Sequence, residues 1–102
     1  MLSTLGLSKM YKLEIKPKTR KIFLKLAKRN QKLLEIIYRK ILEIQENPFH
    51  SYKFLKEPLQ GFNRVHVTGN FVLIFKIDHI KQVIDIKHYG HWDDVYKWIP
   101  KD

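Results

Sequence analysis

The chain has 102 residues, 44% hydrophobic and 29% charged, which fits one domain with a single modest core. It has no cysteine, so a disulfide framework, a thiolate metal site and a cysteine nucleophile are excluded, and any catalysis falls to His, Glu, Asp, Lys, Arg or Tyr. Twenty Lys and Arg against ten Asp and Glu give a formal charge of +10, which favours a polyanionic partner, either nucleic acid or an acidic protein.

The basic charge is uneven. Residues 1–51 hold 12 Lys and Arg against 4 Glu, whereas residues 52–102 hold 8 against 6 Asp and Glu. No apolar run approaches the roughly 18 residues of a membrane span, and "MLSTLGLSK" is too short and too weakly apolar for a secretory signal. These features lead to the expectation of a cytoplasmic protein without a membrane partner, with residues 1–9 a short extension and residues 10–102 a single domain.

"MYKLEIK" alternates, with Tyr11, Leu13 and Ile15 on one side and Lys12, Glu14 and Lys16 on the other, and reads as a half-buried strand. Pro17 stops it, and Thr19 is the expected N-cap of a helix that buries Ile22, Phe23, Leu26 and Ala27 and ends at Asn30 in a left-handed conformation. Leu34, Ile37, Tyr38, Ile41 and Leu42 mark a second helix, which Asn47-Pro48 terminates. The two form a hairpin whose outward face carries nine basic residues from Lys18 to Lys40, among them Lys25, Lys28 and Arg29, opposed only by Glu35. Such a face is either simply solvated or docks against an RNA backbone.

Residues 48–61, "PFHSYKFLKEPLQG", show no sustained period and contain two prolines, as a loop does. "FNRVHVTGNFVLIFKI" reads as a hairpin. A three-residue turn at Thr68, Gly69 and Asn70 pairs Val67 with Phe71 and gathers Val65, Val67, Phe71, Leu73, Phe75 and Ile77 on one apolar face. Arg64 and His66 then share the other face with Val72, Ile74 and Lys76. "QVIDIKH" is the fourth strand, with Ile84, Ile86 and His88 on one side and Val83, Asp85 and Lys87 on the other. Gly90 is expected to break it, and "HWDDVYKWI" to form a short helical turn. The fold expected is α+β: a strand, a two-helix hairpin packed on one sheet face, and a three-stranded antiparallel meander completing a four-stranded sheet.

RNA cleavage by side chains alone needs a base for the 2′-hydroxyl, an acid for the departing 5′ oxygen and cations for the charge on phosphorus. Candidates are Glu57 in the loop, Arg64 and His66 on a strand, and His88, His91 and Tyr96 near the end of the last strand. An imidazole titrates near neutrality, so one histidine can accept a proton while another donates one. Other readings stand beside these: His66 as an ordinary exposed strand residue, and His66, His88 and His91 as a weak zinc set. Trp92, Tyr96 and Trp98 suit core packing as well as base stacking, and Asp93 and Asp94 suit capping.

"FLKEPLQGFNRVHVTGNFVLIFKI" followed by "VIDIKHYGHWDDVY" resembles the RelE/ParE toxin superfamily, the stable halves of bacterial and archaeal toxin–antitoxin pairs. The resemblance runs from Tyr11 to Trp98 and lies in the order and spacing of loose motifs. It implies a RelE-like fold and a ribosome-dependent endoribonuclease that cuts mRNA without metal or cofactor, leaving a cyclic phosphate and a 5′-hydroxyl. It also implies an acidic RelB-like antitoxin as partner, beside the ribosome and mRNA. Glu57, in "E-P-L", is similar to the base of the YoeB branch, and His66 resembles the catalytic histidine of the YafQ branch. Arg64 sits where RelE has a functional lysine, while His91 and Tyr96 match the histidine and aromatic of the family's ending; the roles expected are Glu57 or His66 as general base, His91 as general acid and Tyr96 as an orienting or substrate-stacking residue. Val72 stands in place of the family's strand arginine and Trp92 in place of a basic residue, so that Arg64, Lys53, Lys56 or Lys87 must supply the positive charge. Two other readings remain: a ParE-like toxin that acts on DNA gyrase, and a basic nucleic-acid-binding domain without catalysis.

Overall fold

The computed structural model describes residues 10–98 and Pro100; the expected extension at residues 1–9 lies outside the described residues. Strand β1 (Lys12–Ile15) leads into α1 (Pro17–Arg29) and α2 (Gln31–Glu46). Four more strands follow, β2 (Lys53–Phe54), β3 (Asn63–Thr68), β4 (Phe71–Asp78) and β5 (Val83–His91), and a 3-10 helix over Trp92–Lys97 ends the fold. The sheet order is β1-β5-β4-β3-β2, with β1 parallel to β5 and every other pair antiparallel. The α+β expectation holds, and β2 adds a short fifth strand within the segment read as loop. Two residues are too few to show an alternation.

Both helix ends differ from expectation. Pro17 is itself the first helical residue, where its missing N–H and fixed φ cost nothing. Thr19 therefore lies inside the first turn, buried, and its hydroxyl donates to Lys87 O at 3.0 Å, which fastens α1 to β5. Asn30 is not left-handed (φ −151°). Its N–H closes α1 on Leu26 O at 2.7 Å while its side-chain oxygen caps α2 by accepting from Leu33 N at 3.2 Å.

Two bulges decide which residues face which side of the sheet. The β3–β4 turn has only Gly69 and Asn70 between the paired Thr68 and Phe71, with Gly69 at φ +53°. Val67 is an extra residue behind it, so His66 still pairs with Val72, Val65 with Leu73 and Arg64 with Ile74, the register a three-residue turn would give. The second bulge lies on β5: Phe75 pairs with Ile86 and Ile74 with His88, which leaves Lys87 over. That extra residue turns the alternation over. His88 leaves the side of Ile84 and Ile86 and stacks on Trp98, with ring centroids 5.0 Å apart and planes 7° off parallel. Gly90 does not break the strand but pairs with Val72, and a Cβ there would lie 2.9 Å from His88 Nε2, so the glycine makes room for the imidazole.

The core has two parts, one on each side of the sheet. Phe23, Ile37, Ile41 and Ile44 from the helices meet Leu73, Phe75, Ile84, Ile86 and Tyr89 on one face. On the other, Val72 and Ile74 meet Leu55, Leu59 and Val95, flanked by Phe62, Trp92 and Trp98. Among the described residues, no helix is long and apolar enough to cross a membrane.

Burial, and after it the Lys16 ammonium, hold the His88 pKa below the ordinary 6.5. As pH falls below that value the unfolded chain takes up this proton first, so stability drops until the folded pKa is also passed. Thermal melting between about pH 7 and pH 5 should fall more steeply for the wild type than for His88→Phe, which keeps the stack and removes the titration. Parallel slopes would show that His88 is not held neutral.

Candidate functional site

Arg64 and His66 project from β3 on the face away from the helices, and the 3-10 helix lies across them. Its start is tied to the hairpin turn by Trp92 N–H donating to Asn70 O at 2.6 Å, and its middle is pinned by Val95, which is fully buried. Its end is tied to the 55–62 loop, where Lys56 N donates to the Tyr96 hydroxyl at 2.8 Å. That loop is braced by backbone bonds from Leu55 N to Phe62 O and from Leu59 N to Lys56 O, both 2.9 Å.

Between these elements is a cavity of about 430 Å³ lined by Phe54, Lys56, Glu57, Arg64, Trp92 and Tyr96. The Arg64 guanidinium lies 4.8 Å from the centre of the Trp92 ring, and the Tyr96 ring meets the same indole edge-on at 5.9 Å. A cation over an aromatic face is held in place while its N–H groups stay free to bind an anion. Lys53 pairs directly with Arg64 across β2 and β3, so two like charges sit side by side on one sheet face. An anion between them relieves that repulsion. The cavity thus combines a carboxylate, a guanidinium, an ammonium, a phenol and an indole, which suits a phosphodiester with an adjoining base.

The other residues singled out in the sequence are distributed as follows. His66 is exposed on the same sheet face, its ring 6.3 Å from Trp92, beside the cavity rather than in its lining. His91 pairs with Phe71 and packs edge-on against its ring at 5.2 Å, and its Nδ1 accepts from Asp93 N at 3.1 Å, so it caps the 3-10 helix. Lys87 makes an ion pair with Asp85 at 2.9 Å. Lys25, Lys28 and Arg29 are exposed on α1, on the helix-covered side of the sheet. Among the described residues no three His, Asp or Glu side chains converge as a metal site, so His66, His88 and His91 are not a ligand set. Val72 is fully buried in a cluster with Val95 and Leu55, so it presents no group to the site. Phe54 was not foreseen as part of the site. An aromatic between lysines in an irregular segment was the only signal it left.

The chain matches no protein-family model. Among solved structures it resembles a chain of the YoeB-YefM complex from Staphylococcus aureus, at 16% identity and a TM-score of 0.69 over 79% of this chain and 95% of that one. It also resembles a mutant of E. coli toxin RelE in the free state, at 18% identity and a TM-score of 0.67 over 85% and 88%. The fold is therefore that of the RelE-like toxins. A curated protein of Methanocaldococcus jannaschii named "Putative toxin RelE4" is 43% identical over 88 residues, 86% of this chain and 93% of its own. At that identity and coverage, the chain belongs to the RelE toxin family of the RelE/ParE superfamily.

A double-mutant cycle of Arg64→Ala and Trp92→Ala tests the stacked pair. Urea unfolding should give a coupling free energy of roughly 0.5–1 kcal/mol. Strict additivity would mean that the indole does not hold the guanidinium.

Proposed function

We propose that this protein is the toxin of a type II toxin–antitoxin pair and that it cuts ribosome-bound mRNA by side-chain acid–base chemistry. The observation that carries this reading is the cavity whose lining holds Glu57 together with Arg64, Lys56 and Tyr96. In it, Glu57 takes the proton of the ribose 2′-hydroxyl, and the oxygen so freed attacks the adjacent phosphorus. The bond from phosphorus to the 5′ oxygen breaks, and that oxygen takes up a proton, leaving a 2′,3′-cyclic phosphate and a 5′-hydroxyl. Arg64 and Lys56 hold the non-bridging oxygens as their charge rises.

The Tyr96 oxygen already accepts the Lys56 N–H, so its own hydrogen is available to the leaving oxygen. Tyr96 is thus the donor in this scheme. His66, on the same face, is the second base or steers the neighbouring nucleotide. His91 acts as a positioning residue, because its contacts hold the 3-10 helix that carries Trp92 and Tyr96. The basic helix face, with Lys25, Lys28 and Arg29, meets ribosomal RNA or, in the resting cell, an acidic antitoxin that neutralises part of the +10 charge. Ribosomes and antitoxin place the protein in the cytoplasm.

Purified protein added to cell-free translation of a defined mRNA should arrest synthesis and create new 5′ ends at fixed codon positions. Glu57→Gln should lower the cutting rate by about 10²–10⁴-fold. His66→Ala should cost less than Glu57→Gln, and a reversed order would make His66 the base. DNA synthesis arrested with mRNA intact would instead support the ParE-like action on gyrase, which the loss of the strand arginine at Val72 would accommodate. Continued translation and replication would leave a basic binding domain without catalysis.

A further inference from the structure

A second cavity of about 430 Å³ lies next to the first, and Phe54 lines both. It forms where β3 begins and β4 ends, under the residues that follow α2. Its walls include Phe49, Tyr52, Phe54, Asn63, Lys76 and His79. Phe49 is 79% exposed and Phe54 66% exposed, and the Phe49 ring is held by its neighbours. Phe49 stacks on His79 with centroids 4.8 Å apart and planes 13° off parallel, and meets the buried Tyr11 edge-on at 6.1 Å. His79 is oriented by a 2.9 Å hydrogen bond between its Nδ1 and the Tyr11 hydroxyl. That bond engages Nδ1 and leaves Nε2 as the ring nitrogen available to a ligand. Lys76 Nζ lies 4.4 Å from the centre of the Phe62 ring and brings a cation to the same rim.

Pre-set aromatic faces, a cation and an imidazole are the groups that hold one unpaired base and its phosphate. An apolar peptide would bury the Lys76 ammonium without an anion to balance its charge. We propose that this cavity is a stacking subsite for a nucleotide of the same single-stranded RNA that enters the first cavity, with Phe54 as the step between them. The inference rests on the RNA-cutting reading and extends it. The protein grips several successive nucleotides, and the part of the grip at Phe49 is remote from the reacting phosphate. Stacking on pre-oriented rings is tolerant of sequence, so this subsite adds affinity without choosing a base.

The test uses 2′-O-methyl RNA, which lacks the attacking hydroxyl, with binding followed through amide shifts of the labelled full chain. A dinucleotide should shift the amides around Lys56 and Arg64 alone. An oligomer of about six nucleotides should also shift those around Phe49 and His79, and Phe49→Ala should weaken it about 5- to 100-fold while leaving the dinucleotide unchanged. Phe49 is exposed, so this variant folds, and Lys76→Gln provides an independent check by lowering the salt slope for the longer RNA by about one. Shifts confined to the first cavity, or an unaltered affinity in Phe49→Ala, would overturn the subsite and leave the RNA reading standing. No shift at Lys56 or Arg64 with either RNA would overturn that reading, and the subsite with it.

Discussion

Val72, Leu73, Ile74 and Phe75 follow one another along β4, and all four are completely removed from water. An antiparallel strand commonly leaves one face solvated, but an unbroken apolar run must be covered on both. The helix hairpin covers Leu73 and Phe75, and Val95, Leu55 and Leu59 cover Val72 and Ile74. Each such side chain contributes on the order of 1.5–3 kcal/mol when fully buried. A six-residue 3-10 helix has no stability of its own, so its place is set by this demand for cover. The candidate site is a consequence: once Val95 is seated, Trp92 and Tyr96 stand over Arg64 and beside Glu57, and a cavity closes around them.

The bulges serve the same arrangement. Without Val67 as an extra residue, the two-residue turn would put Arg64 and His66 on the helix side of the sheet, where charge could not be solvated. Without Lys87 as an extra residue, His88 would enter the helix-side core instead of stacking on Trp98. Polar residues therefore reach the second face through two local irregularities in an otherwise regular sheet. They arrive among fixed aromatic rings, with Lys53 paired beside Arg64 on the same face.

Much of this architecture could be read from the residues, because long apolar periods survive tertiary context. The two helices, the β3–β4 register and the separation of Arg64 and His66 from Val65 and Leu73 all follow from periodicity. The face of His88 did not, because a single-residue bulge reverses alternation and leaves no mark in local pattern. Thr19 looked like a cap because its hydroxyl suits one, yet it found a tertiary partner in Lys87 O. β2 was too short to show a period. The membership of the RelE family lay in motif order rather than in any single motif. The meeting of Glu57, Arg64 and Tyr96 depends on a hydrogen bond across 40 residues, from Lys56 N to Tyr96, which no window of sequence contains.

The candidate site exists only while the terminal helix is docked on β4. The chain has just two tryptophans, Trp92 and Trp98, and both belong to that docked segment, so their emission reports docking directly. The decisive measurement is tryptophan emission and mRNA cutting side by side in Val95→Asp, with circular dichroism confirming that the helices and sheet persist. Emission should shift to the red and cutting should be lost while the helix-side core stays folded. Full cutting with the tryptophans released to water would contradict that dependence.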